Sequence, residues 1–214
     1  VVAATLANTQ DNASLSTGGA IDVAAVKAAA SADFSNTVVV GTDAWLNSLG
    51  YINLGTYTRA TINSQALVNT WGLAAVGVAS SDVDVDNTQS VTVGTGALLE
   101  SLRNTYVTAG RDAVGLHDTA ISVCSVAEGY VRGLIAIPDA SADGTIESYA
   151  DTVIGAGSQV LSASNVTAGA YTGALAFGVS GVGHGYQLGF IPVTQRDSES
   201  DSTTRGNVVL DGDL

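Results

Sequence analysis

Lysine is nearly missing from this chain. Lys27 stands alone, and with six arginines it makes 7 cationic residues against 20 acidic ones, a net charge of −13 over 214 residues. Neutralising a phosphate backbone needs clustered Lys and Arg. Arg59, Arg103, Arg111, Arg132, Arg196 and Arg205 are instead scattered, so direct nucleic-acid binding is not expected. Cysteine is as scarce: a single Cys124 leaves no intramolecular disulfide and no thiolate metal cluster. Long uninterrupted apolar runs are missing too. The longest stretch without formal charge, 152–195, is broken throughout by Gly, Ser and Thr, unlike the roughly 20 apolar residues of good helix propensity that cross a bilayer. No transmembrane segment is therefore expected. No charged segment followed by an apolar core opens the chain, so no signal peptide is read, and Val1 in place of methionine is read as a processed or trimmed start.

What is present is apolar content and small residues. The chain is 46% hydrophobic with a mean hydropathy of +0.30, enough for a sizeable core. Acid excess with almost no lysine fits adaptation to concentrated salt, where counter-ions screen the repulsion within the compact state. It fits an acidic extracellular or virion surface equally well. No internal repeat at a solenoid or propeller period is read.

Alternation dominates the pattern. Thr37–Val40, 51–61, 66–79, 82–86 and 90–93 read as strands. Segment 120–138 reads as a hairpin around Glu128–Gly129. A second hairpin is expected over 171–190, with Leu175, Phe177 and Val179 on one side, a tip at 180–185, and Tyr186, Leu188 and Phe190 returning. Pro192 suits an edge. Helical spacing is read at 20–32, at 96–110 closed by Gly110, and at 143–155, with one turn over Asp43–Leu49. These elements predict a mainly β fold, a jelly roll or β-sandwich with a few short helices in connections, or alternatively an α+β shell fold. Residues 1–19 read as an N-terminal arm, 20–193 as one β-rich domain, and 194–214 as a polar C-terminal tail.

Asp82, Asp84 and Asp86 are the sharpest local feature. Three carboxylates at alternate positions either converge on a hard cation such as Ca²⁺ or lie on a solvated strand face that blunts an edge. An EF-hand is excluded: Asn87 stands where its turn needs Gly, and Val93 where its bidentate Glu belongs. Ser180, His184 and Asp118 supply the residue types of a hydrolase triad. However, Gly178-Val-Ser180 does not continue into the nucleophile-elbow pattern, and Ser and His in one hairpin tip lack rigid support. A zinc site would have to bring His117 and His184 together with a carboxylate. The Gly-rich runs at 155–157 and 178–189 match no phosphate loop and read as tight packing. Asn12-Ala-Ser14 and Asn165-Val-Thr167 fit the N-glycosylation pattern and hint at exposure. Cys124 reads as a small buried hydrophobe, with an intermolecular disulfide as the sharper alternative.

The lone Lys27, the alternating strands at 82–86 and 171–190, and the polar ends 1–19 and 194–214 resemble the small acidic jelly-roll coat proteins of haloarchaeal viruses. That resemblance implies a self-assembling subunit of oligomeric capsomers, located on a virion, with no cofactor, whose partners are itself and other coat proteins. A Ca²⁺-dependent carbohydrate- or ligand-binding β-sandwich is the alternative, using Asp82, Asp84 and Asp86 with Trp45 or Trp71.

Overall fold

In the computed structural model, described for residues 1–112, 117–187 and 191–214 (backbone only for Ile191 and Pro192), every regular element is a strand. Eleven follow in order: β1 (Val2–Gly18), β2 (Ile21–Val40), β3 (Trp45–Ser48), β4 (Ile52–Val93), β5 (Leu98–Ser101), β6 (Thr105–Ala109), β7 (Ala120–Ile154), β8 (Gln159–Ser162), β9 (Val166–Ala170), β10 (Ala174–Gln187) and β11 (Ile191–Leu210).

All pairings between these strands are parallel except that of β10 with β11. β1 and β2 both lie along β4, with Val2 opposite Gly55 and Val40 opposite Val93, a constant offset of 53 residues. β4 lies along β7 at an offset of 61, from Arg59 opposite Ala120 to Val93 opposite Ile154. β10 and β11 then lie along β7 at offsets of 54 and 56. The chain is thus wound into four stacked coils, with β3, β5 and β8 forming a short third side.

Each coil is two long arms folded back on one another. In the second coil the buried positions, Gly55 apart, are even up to Thr70 and odd from Ala75 onward. The Ser81 hydroxyl, 17 residues along, donates to Ser64 Oγ at 3.0 Å. The two arms therefore meet through side chains, not through backbone hydrogen bonds, and the parity change marks a bend at 72–73. The bends stack so closely that a Cβ on Gly133 would lie 2.5 Å from the Gly72 carbonyl oxygen. That spacing admits only glycine there.

The interior explains the small-residue composition. Next to the bend the core is alanine almost throughout (Ala24, Ala66, Ala79, Ala127, Ala140, Ala142), which lets the two arms approach closely. Further along, Ile62, Val83, Val85, Val123 and Ile146 fill a wider gap. Beyond a polar seam, Leu54, Val91, Val93, Leu99 and Ile154 close the base. In the seam Asn87 donates to Ser148 Oγ at 2.9 Å and Gln89 to Asn87 Oδ1 at 2.7 Å, while Asn36 donates to Thr58 Oγ1 at 2.9 Å. Such a seam favours one register over slipped ones.

The mainly β expectation holds, but several finer readings are corrected. Residues 20–32 are strand β2, because pairing along twenty positions of β4 outweighs the helix propensity of alanine. Ala24 and Ala28 face inward, whereas Ile21 and Ala25 face out. Residues 96–110 are β5, a turn and β6, and 143–155 lie mostly in β7. Segment 41–44 is a turn leading into β3, with Asp43 at φ 55°. Glu128–Gly129 lies inside continuous β7, whose bend comes at 133–134. The hairpin expected over 171–190 is replaced by another. Residues 174–187 are one strand, β10, so 180–185 is not a tip and Tyr186 does not return on Leu175–Val179. Its residues Val182–Gln187 pair antiparallel with Ile191–Arg196 of β11; Leu188 and Phe190 fall outside the described residues. The parallel coils are not the antiparallel order of a jelly roll, and they constitute an internal repeat where none is expected from the letters. Residues 1–19, read as an arm, lie mostly in strand β1, and 194–214, read as a tail, mostly in strand β11 of the sheet.

Candidate functional site

Stacking places equivalent side chains of successive coils about 4.8 Å apart, so the outer surface is organised in ladders. Near the bend, Trp71, Arg132 and Tyr186 form one ladder on the first arms. Asn69, Tyr130 and His184 form the next, with the Tyr130 and His184 rings stacked at 5.0 Å. The Arg132 guanidinium lies 6.0 Å from the Tyr186 ring centroid. Past the bend, Ile21 stands over Ala74 and Ile135, and Val23 over Val76 and Ile137, with Leu73 and Leu134 at the turn itself. Trp71 is 50% exposed, Leu73 66% and Ile21 81%. Exposed aliphatic and aromatic side chains are thus gathered where the arms turn.

Charge is kept away from that end. Residues 60–81 and 133–138 carry none. Arg132, in the ladder with Trp71, and Asp22 are the exceptions; the Asp22 carboxylate accepts hydrogen bonds from Thr17 (2.6 Å) and Thr70. These hold its pKa below the usual carboxylate value, the Thr17 bond contributing most.

The acidic residues collect on the outer face of the second arms. Asp82, Asp84 and Asp86 all point outward, between the buried Ser81, Val83, Val85 and Asn87. Coil stacking adds Asp143 and Glu199 beside Asp82, Asp201 in the row of Asp84, and Asp33 and Glu147 beside Asp86. Successive carboxylates along the strand are about 6.6 Å apart by strand rise, too far to converge on one ion through their side chains alone. Among the described residues no group of three His, Cys, Asp or Glu is arranged to hold a metal. Desolvation, followed by the neighbouring charges of Asp84, Glu147 and Asp33, raises the Asp86 pKa.

The pH and salt dependence follow from these directions. A raised carboxylate pKa means that ionisation opposes folding, so this penalty is relieved as pH falls from neutrality through the folded pKa of Asp86. Asp22 and Asp118 have lowered values, so their contributions are present above the ordinary carboxylate pKa of 3.8 and are lost only as pH falls below it. Thermal melting is therefore expected to show its highest midpoint on the acid side of neutrality. Added salt should raise the midpoint more at pH 7 than at that optimum. A midpoint that falls steadily from pH 7 downward would contradict the crowding of these acids.

The other singled-out residues do not assemble. Ser180 and His184 both face outward on β10, about 13 Å apart by strand rise. Asp118 pairs instead with Arg111, whose Nε and Nη2 donate to its two carboxylate oxygens at 2.6 and 2.8 Å. The Arg111 guanidinium also lies 4.1 Å from the Tyr171 ring centroid. His117 sits against Tyr57 at 5.3 Å, twelve positions along β4 from Asn69, the ladder neighbour of Tyr130 beside His184. That is about 40 Å along the arm. Cys124 lies on the outer face between Asn63 and Gly178, half-buried and not in the core. The glycines from 178 to 185 are strand positions of β10, not a phosphate loop. Asn12 and Asn165 are both exposed. Trp45 is exposed at the opposite end, where its Nε1 donates to Glu100 Oε2 at 2.8 Å.

Comparison with protein-family models, curated proteins and solved structures found no match for this chain. Sequence reasoning does not find the apolar bend, although a signal for it exists. Trp71-Gly-Leu73 and Arg132-Gly-Leu134 repeat the same x-Gly-Leu step at the coil offset, each followed by an uncharged β-forming run.

Proposed function

We propose that this protein is a non-enzymatic, self-assembling structural subunit, a coat or surface protein whose copies join through the open ends of the coil stack. The observation that carries this reading is the pair of unsatisfied parallel edges. β1 and β2 pair only with β4, leaving 17- and 20-residue strands with one edge not paired to another strand; on it the Ala29 N–H donates to Asp11 Oδ2 at 3.0 Å. At the far end β11 and the first half of β10 have a free edge as well. Long open edges are templates for pairing with another chain, and a head-to-tail contact of unlike edges repeats without closing. Asp11, Asp22 and Asp33 on the first coil and Asp197, Glu199 and Asp201 on the last put negative charge at both ends. Salt is thus the natural gate: repulsion keeps copies apart at low ionic strength, and screening permits stacking. A virion or cell surface in a saline setting is the location this reading implies.

Light scattering across a salt series tests it. Mass is expected to rise with ionic strength, and Ala25→Pro, which places a proline on the open strand β2, should reduce that rise. A protein that stays strictly monomeric from low to high salt overturns the proposal.

A further inference from the structure

We infer that the apolar bend is a shallow membrane-docking tip, which inserts into the interface of a zwitterionic lipid surface. Three features of this end of the molecule point to lipid.

The first is the side-chain arrangement. Ile21, Val23, Leu73, Leu134, Ile135 and Ile137 project from the stacked bends and the first residues beyond them. Trp71, Tyr130, Arg132 and Tyr186 sit one or more positions back on the first arms. Aliphatic groups at the extremity with indole, phenol and guanidinium behind them match the order of a bilayer, from acyl chains to headgroups.

The second is backbone satisfaction. A turn entering lipid has to pair its own N–H and C=O groups. Here the stacked coils supply partners: Gly19 N–H donates to the Trp71 carbonyl at 3.0 Å, and the Leu73 and Ala74 N–H groups both donate to the Ala20 carbonyl, at 3.0 and 3.1 Å.

The third is size against charge. Three described bends stacked about 4.8 Å apart, on arms about 10 Å apart, offer a few hundred Å². A stable protein interface needs about 800 Å² per partner, so a second copy docked tip to tip would be under-sized. Shallow lipid insertion has no such threshold and requires only that charge stay out of the acyl region. The stretches 60–81 and 133–138 carry no charge, and the acidic flank begins at Asp82 in the second coil and Asp139 in the third. Of the charges nearer the tip, Arg132 lies on the first arm, at headgroup depth, and the Asp22 carboxylate is turned onto the Thr17 and Thr70 hydroxyls. The net charge of −13 selects zwitterionic over anionic lipid at low salt.

The test uses the full chain with phosphatidylcholine vesicles. In a Trp45→Phe background, Trp71 emission is expected to shift to the blue on vesicle addition and to be quenched by lipids brominated on their acyl chains. The intact protein should float with these vesicles at low salt, and with phosphatidylglycerol vesicles only once salt is raised. Leu73→Glu combined with Ile135→Glu should abolish flotation. Leu49→Glu with Leu102→Glu, exposed at the opposite end, should leave it intact. The quenching measurement needs no tip substitution, so it stands even if the double variant folds poorly. Absence of both quenching and flotation overturns the inference. So does flotation that survives the tip substitutions in a folded variant, or a scattering mass that those substitutions lower in the absence of vesicles. That last result would mean the tip meets another protein copy instead. Salt-dependent stacking is read without vesicles, so either proposal can fail alone.

Discussion

Val83→Asp is expected to destabilise the protein by about 4 kcal/mol or more, whereas Asp84→Asn one position on should cost nothing measurable. Val83 is fully buried in the cluster with Ile62, Val85 and Ile146, where an aspartate would be left unpaired and desolvated. Asp84 faces outward among like charges. Removing its charge should hold stability within about 0.5 kcal/mol, or raise it slightly by relieving Asp86. Urea denaturation of the two variants beside the parent measures both. Tolerance of Asp at position 83 would mean that the second arm presents the wrong face to the core.

The second large effect is expected at Gly110. It has φ +80°, and a Cβ there would run into the Tyr171 carbonyl. The surroundings cannot yield easily. Gly110 N–H donates to Thr56 Oγ1 at 3.2 Å, its carbonyl accepts from Thr119 N–H at 2.9 Å, and Tyr171 N–H donates to the Ala109 carbonyl at 2.8 Å. Gly110→Ala thus combines left-handed strain of about 1–2 kcal/mol with overpacking of about 1–3 kcal/mol, and should cost about 3 kcal/mol in all. Gly157 separates the two contributions. Its φ is +67°, but a Cβ added there would meet nothing within 4 Å, so Gly157→Ala should show only the strain. Equal losses at the two positions would refute the close contact between the third and fourth coils.

Both contrasts depend on features that the sequence displays unevenly. Alternation through Ser81–Asn87 is visible in the letters, because a strand buried on one face needs apolar groups at every second position. The outward direction of Asp82, Asp84 and Asp86 is legible for that reason. The helices expected at 20–32 and 96–110 do not form, because alanine and leucine satisfy both periods and only the neighbouring coil decides between them. The repeat leaves a trace in Val38-Val-Val-Gly-Thr42 and Val91-Thr-Val-Gly-Thr95, 53 residues apart. It is blurred because the offset then changes to 61 and to 54. A coil needs matching inward volume and a matching bend, not matching residues.

By itself, the sequence determined the acidity, the want of lysine and cysteine, the β-forming alternation, and the absence of any adjacent catalytic grouping. Those properties are set by composition or by neighbours one or two residues apart. Tertiary structure alone decided that the strands run parallel in coils, that Trp71, Arg132 and Tyr186 share one ladder, and that the uncharged runs form a single exposed tip. Each of these joins residues more than fifty positions apart. Backbone pairing between coils is nearly indifferent to side-chain identity, so local pattern carries little record of which strand lies beside which.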